Sequence, residues 1–146
     1  MSEALYTKDI LRLAVSIPHE ERLTNPDGSA ECRSKSCGSR VVVDVKLSGD
    51  GQISDLGIVV NACALGQASA AILASEAMGK TEDEIAKARN QLSSFLEGTS
   101  ENIGEWDKMD RLEPVRGHKG RHAAVRLPYD AVLAAFADAH SKITVA

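Results

Sequence analysis

Apolar residues recur at helical spacing through residues 4–15, at Leu5/Tyr6, Ile10 and Leu13/Ala14. Pro18 ends that run, because a proline holds its predecessor out of helical geometry. Residues 24–40 contain Asn25-Pro26-Asp27-Gly28 and then a stretch rich in serine and glycine. By composition this is a loop, longer than a plain connector, and loops of that length in compact domains tend to carry function. Residues 40–47 alternate, with Val41, Val43, Val45 and Leu47 on one face and Arg40, Asp44 and Lys46 on the other, which predicts a strand. Ser48-Gly49-Asp50-Gly51 is a tight turn, and residues 52–61 return as a second, antiparallel strand. Its apolar phase switches between Ile53 and Leu56/Ile58/Val60, which predicts a bulge near Asp55.

The second half is helical in pattern. Residues 62–78 are rich in alanine, with an apolar stripe of Leu65, Ala68, Ile72 and Leu73 and a natural terminator in Gly79. Thr81 and Glu84 have the spacing of a capping box; Ile85, Ala88, Leu92 and Phe95 then point inward until Gly98 ends the helix. Residues 99–121 are polar and irregular, with Trp106 and Pro114 as anchors. Pro128 suits the first turn of a last helix carrying Val132, Leu133, Phe136 and Ala139. No internal repeat or composition break divides the chain. The expectation is one α+β domain over residues 1–146, a small antiparallel sheet built on the hairpin 40–47/52–61 and covered by helices.

Composition narrows the function. Aromatics are 3% of the 146 residues, so the core must be built from Val, Leu, Ile and Ala. With 17 Lys+Arg against 21 Asp+Glu the formal charge is -4. That balance argues against nonspecific nucleic-acid binding, and so few aromatics leave no platform for stacked bases. No apolar run approaches the roughly 18 residues of a membrane span. The start, Met1-Ser2-Glu3-Ala4, lacks the basic and apolar regions of a signal peptide. A cytoplasmic protein is expected, with Cys32, Cys37 and Cys63 reduced. Three is a poor number for a disulfide framework, so metal, cluster or sulfur chemistry becomes the reading to test.

Cys37 stands three residues before the first strand of the hairpin and Cys63 two residues after the second ends. In an antiparallel hairpin those ends adjoin, so the two thiols are expected at one end of the sheet. Cys63 also opens a helix, where the macrodipole and free N–H groups attract negative charge. Two such sulfurs suit zinc, iron, a cluster or a persulfide; the alternative is that each is a small buried hydrophobe.

Ser36-Cys37-Gly38-Ser39-Arg40 before a valine-rich strand, then Ala62-Cys63-Ala64-Leu65-Gly66-Gln67-Ala68-Ser69-Ala70 opening a helix, resembles the NifU/IscU/SufU family of iron–sulfur cluster assembly scaffolds. Leu127-Pro128-Tyr129-Asp130-Ala131-Val132 in the last helix does so too, as do Leu5-Tyr6 to Ile10-Leu11 and Asn25-Pro26 near the start. The long stretch between Cys63 and the last helix is similar to the SufU-type members. The resemblance implies a small antiparallel sheet covered by helices. It also implies a transient iron–sulfur cluster, with sulfur from a cysteine desulfurase and release to recipient apo-proteins. The family's first two cluster cysteines carry over onto Cys37 and Cys63. The third does not: its position falls on Ala124, and Ser39 replaces the acidic residue two places after the first cysteine.

A tetrahedral site needs four donors, or three with solvent or a partner's ligand. His122, two residues before the vacant position, is the candidate third donor, and His118 a weaker one. Two Cys with one or two His suit zinc or a [2Fe–2S] cluster, since imidazole replaces thiolate in some cluster types. A homodimer that supplies missing donors across an interface is a further candidate. Cys32 is off the matching positions and reads as an incidental thiol or a spare persulfide carrier. Leu112-Glu113-Pro114-Val115-Arg116 faintly resembles the chaperone-binding segment of IscU-type scaffolds and reads as a surface turn. The basic run 116–121 reads as a solvated loop or a contact for an acidic partner or phosphate.

Three functions compete: a cluster scaffold or carrier using Cys37, Cys63 and His122; a SufE-like persulfide acceptor that activates a desulfurase; and a zinc-stabilised interaction module. No enzyme activity is expected, since His122 has no obvious orienting partner in the sequence and no oxyanion loop is evident.

Overall fold

The structure, a computed structural model, describes residues 5–35 and 38–145, the last three of these by backbone alone. Helix α1 (Lys8–Ala14) starts later than its periodicity predicts because the Thr7 side chain caps it, accepting from the Ile10 N–H. Three strands follow: β1 (Gly28–Arg33), β2 (Arg40–Leu47) and β3 (Ile53–Asn61), paired antiparallel in the order β1-β2-β3. The hairpin of β2 and β3 closes through Ser48, whose carbonyl accepts from the Gly51 N–H at 3.0 Å. Lys46 pairs with Asp55 but Leu47 with Ile53, so Ser54 is the extra residue of a bulge beside the expected Asp55.

The loop expected over 24–40 is corrected in its middle, where β1 lies on the edge of the sheet, Gly28 opposite Val45 and Arg33 opposite Arg40. Its sequence, Gly-Ser-Ala-Glu-Cys-Arg, has neither alternation nor strand-forming residues; the ready-made edge of β2 supplies the pairing.

One face of the sheet forms the core. Val41, Val43, Val45, Leu56 and Ile58 point into it and are buried. Helix α4 (His122–Val145) lies over β1 and β2, and α2 (Ala64–Glu76) over the β3 side; α1 packs on α2, and α3 (Glu82–Glu97) on α4. The capping box of Thr81 and Glu84 is formed, and Gly98 ends α3 in the left-handed conformation at φ 84°. Residues 99–121 carry two 3-10 helices, Met109–Gly117 and Lys119–Arg121. Their anchors are Trp106, 5.9 Å from the Tyr129 ring, and Leu112 and Val115, both buried, so the segment 112–116 is a packed element rather than the surface turn expected.

Helix α4 begins six residues before Pro128, which therefore sits inside it. Pro128 has no N–H for the Ala124 carbonyl, and that carbonyl faces α2 at Gly66, where an added Cβ would lie 3.4 Å from it. The Ser69 hydroxyl of α2 donates to the next carbonyl, Val125, at 2.6 Å. A proline is tolerated here because the neighbouring helix lies against the carbonyls of this turn.

The opposite face of the sheet is not left to solvent. Residues 19–23 cross it, the Ile58 N–H donating to the His19 carbonyl at 3.0 Å. Gly57 makes room for this strap, since a Cβ there would collide with the Glu21 carbonyl. Asp44, expected on the polar face, is consequently buried.

Candidate functional site

Cys63 is the N-cap of α2, with extended backbone (φ -65°, ψ 169°) and no side-chain capping bond. The geometry follows from β3, which ends at Asn61 paired with Arg40, the first residue of β2. The start of β2 and the start of α2 therefore share one end of the sheet, as the hairpin argument expects. Cys37, three residues before Arg40, lies outside the described residues. Cys63 is half-buried and free.

Position 124 faces the first turn of α2. Ala124 is buried, and its Cβ would lie 3.7 Å from a Cβ built on Gly66, three residues after Cys63. Two residues earlier, His122 is buried, with Nε2 3.0 Å from the carbonyls of both Val115 and Arg116. Carbonyls only accept, so Nε2 carries the proton and the lone pair of the neutral ring is on Nδ1. The orienting partner missing from the sequence is thus the backbone of the 3-10 helix Met109–Gly117. Metal-binding histidines commonly hold their tautomer in this way, with the second ring nitrogen donating to a backbone carbonyl. His118, the weaker candidate, instead lines an open groove with Asp110, Pro114 and Arg116. Among the described residues, no group of three or more His, Cys, Asp or Glu side chains is arranged to hold a metal ion.

Cys32 is on the core-facing side of β1, beneath α4. Burial pushes its thiol above the ordinary cysteine value, and the negative charges of Asp130 and Glu31 add to the rise. Cys32 is therefore expected to react with iodoacetamide at pH 8 several-fold more slowly in the folded chain than in urea. Equal rates, read by peptide mass mapping, would remove it from the protected side of the sheet.

The basic run divides. Arg116 is held by Glu101 at 2.9 Å and lies 4.5 Å over the Phe95 ring, whereas Lys119 and Arg121 make no ion pair among the described residues. Ser39, in place of the family's acidic residue, is buried. Among the described residues no helix is long and apolar enough to cross a membrane.

The sheet order β1-β2-β3 and the helices that cover one face define an α+β fold, and solved structures share it. The NifU-like protein (N-terminal) from Brucella abortus superposes with a TM-score of 0.87 at 38% identity, over 94% of this chain and 96% of that one. A protein from Fervidobacterium islandicum, assigned as an iron–sulfur cluster assembly scaffold for the SUF system, shares the fold with a TM-score of 0.78. It is 20% identical over 90% of this chain and 96% of that one. The chain belongs to the NifU-like family of the NifU/IscU/SufU group. Neither the family models nor the curated protein sequences compared with it match this chain.

Proposed function

We propose that this chain is an iron–sulfur cluster assembly scaffold or carrier. Cys37, Cys63 and His122 would hold a transient [2Fe–2S] cluster, built with sulfur from a cysteine desulfurase and passed to apo-proteins. Family membership supports the class. The observation that carries the reading for this chain is that position 124 of α4 lies against the first turn of α2, which Cys63 opens, and that His122 is the first residue of α4. Thiolates are soft donors suited to iron, and His122, with Nε2 held by two carbonyls, offers Nδ1 as a third. Three protein donors leave one position for solvent or a partner, and incomplete ligation lets the cluster leave. The same donors would suit zinc.

Alanine at position 124 favours one second reading, a persulfide acceptor that needs a single reactive thiol. Anaerobic reconstitution with iron and sulfide separates the two. The wild type is expected to give a stoichiometric visible chromophore, lost in Cys37→Ala and in Cys63→Ala and about tenfold shorter-lived in His122→Ala. Ala124→Cys, which adds a thiol at the turn facing Gly66, is expected to lengthen the lifetime by a similar factor. A wild type without chromophore overturns the scaffold reading. A persulfide formed on one cysteine and indifferent to the other would then establish the acceptor.

A further inference from the structure

We infer that the end of the molecule carrying Cys63 is a basic docking rim, formed by Arg33, Lys35, Arg40, Lys119 and Arg121, that receives an acidic protein surface. The inference does not rest on cluster chemistry. It starts from the distribution of charge in a chain whose formal net charge is -4. Residues 31–40 hold Arg33, Lys35 and Arg40 against Glu31; residues 56–75 hold no charged side chain; residues 114–126 hold four arginines and lysines and no carboxylate. All but one of the 21 acidic residues lie elsewhere.

The fold brings these segments together. Along β1, Gly28 lies against Ala135 and Ala139, the Ser29 N–H donates to Asp138 at 2.9 Å, and Cys32 feels the charge of Asp130. Strand and helix therefore run antiparallel. Four strand residues and nine helical ones each cover roughly 13 Å, so Cys32 is level with Asp130 and the chain leaving β1 through Lys35 runs on toward the start of α4. Arg40 opposite Asn61 brings the start of β2 to Cys63, and Ala124 against Gly66 brings the start of α4 there.

Side-chain pairing sharpens the rim. Arg116 turns to Glu101, and Arg126 to Ser93 and Glu97, so neither contributes. Arg33 and Arg40 share one carboxylate, Glu31, at 2.7 and 2.9 Å and keep a net positive charge. Lys35 and Lys119 are exposed, Arg121 is half-exposed, and none of the three makes an ion pair among the described residues. The acidic turn at Asp50 stands at the other end of the eight-residue β2, roughly 23 Å away. That is well beyond the Debye length of about 8 Å at physiological salt, so the field at the rim stays positive. Such a field speeds encounter with an oppositely charged face and fixes its orientation more than it adds affinity. A nucleic acid is the less favoured polyanion, because the rim has no aromatic side chain for bases and the rest of the surface repels phosphate.

The test uses the full chain and fluorescein-labelled poly-L-glutamate, read by anisotropy at about 50 mM salt. Lys119→Glu/Arg121→Glu is expected to weaken binding at least tenfold and to reduce its salt dependence. Lys87→Glu/Lys142→Glu, which changes charge by the same amount away from the rim, is expected to leave both unchanged. Circular dichroism checks folding, and Lys119→Gln/Arg121→Gln replaces the reversal if that variant does not fold. Absence of binding by the wild type, or equal losses in both reversals, overturns the rim. Binding of a single-stranded oligonucleotide of equal charge as tightly as poly-glutamate overturns the protein partner. Cys63→Ser is expected to bind like the wild type, so failure of the cluster reading leaves this result untouched.

Discussion

Gly28→Val is expected to cost about 3 kcal/mol of stability, a large share of the roughly 5–15 kcal/mol that holds a domain of this size folded. Gly28 opens β1 on the face beneath α4. A Cβ there would collide with the Ala135 carbonyl and lie 2.7 Å from the Ala139 nitrogen and 2.8 Å from the Ala139 Cβ. Two of those three atoms are backbone of a continuous helix, so no side chain can rotate aside and α4 must lift from the sheet. Lifting would loosen the packing of Phe136, Val132 and Ala135 on the core side of β2, where these three and Val41, Val43 and Val45 are all fully buried. At roughly 2–4 °C per kcal/mol the midpoint of thermal unfolding should fall by about 6–12 °C. Urea unfolding of wild type and variant gives the free energy, and a loss below about 1 kcal/mol would contradict the close approach of α4 to β1.

The second large effect is expected at Asp44. Its buried carboxylate accepts from Arg22 Nε at 2.7 Å and Nη2 at 3.1 Å, from the Ser29 hydroxyl at 2.6 Å and from the Leu23 N–H at 2.9 Å. These bonds fasten the strap 19–23 across the outer face of the sheet. Asp44→Ala strands the Ser29 hydroxyl and the Leu23 N–H, each at a cost of about 1–3 kcal/mol if left dry. Arg22 is 58% exposed and can return to water, so its release adds little. A total loss of about 2–3 kcal/mol is expected by urea unfolding at pH 7. Burial pushes the Asp44 carboxyl upward, but the hydrogen bonds from Arg22, Ser29 and Leu23 outweigh it and hold the group below its ordinary value. The sign follows from linkage. The stabilisation is fully present above the unfolded value of about 3.9 and is lost as pH falls through the lower folded value. Between pH 5 and pH 2 the wild type should therefore lose more stability than Asp44→Asn, which cannot titrate there. Parallel pH profiles would show that Asp44 does not carry that acid sensitivity.

The parts legible in the sequence were those whose signal is local. The β2–β3 hairpin announces itself by alternation and a Ser-Gly-Asp-Gly turn, and the start of α3 by a capping box within four residues. Strand β1 was not legible, because its residues have little strand preference and its order comes from β2 on one side and α4 on the other. Asp44 read as polar and outward because the alternation of β2 is correct; what buries it is a strap more than twenty residues upstream. Pro128 read as a helix start because the compensating contacts of Gly66 and Ser69 lie in another helix. At the site, Cys63 and the meeting of hairpin ends follow from pattern and antiparallel geometry. The tautomer of His122 does not, since it is set by carbonyls whose position depends on the fold of residues 109–117.

Trp106 has a consequence of a different kind. It is the one tryptophan of the chain, its ring tilted at 46° to that of Tyr129 with centroids 5.9 Å apart and the Lys80 ammonium 5.8 Å from its own ring centre. Tyr129 belongs to the helix that opens at His122, and Trp106 to the segment whose carbonyls hold the His122 ring. The chain thus contains its own optical gauge: indole emission comes from a single place, the seam between α4 and the segment that sets the candidate ligand. Loosening of that seam changes the fluorescence even while the helices that dominate circular dichroism stay folded.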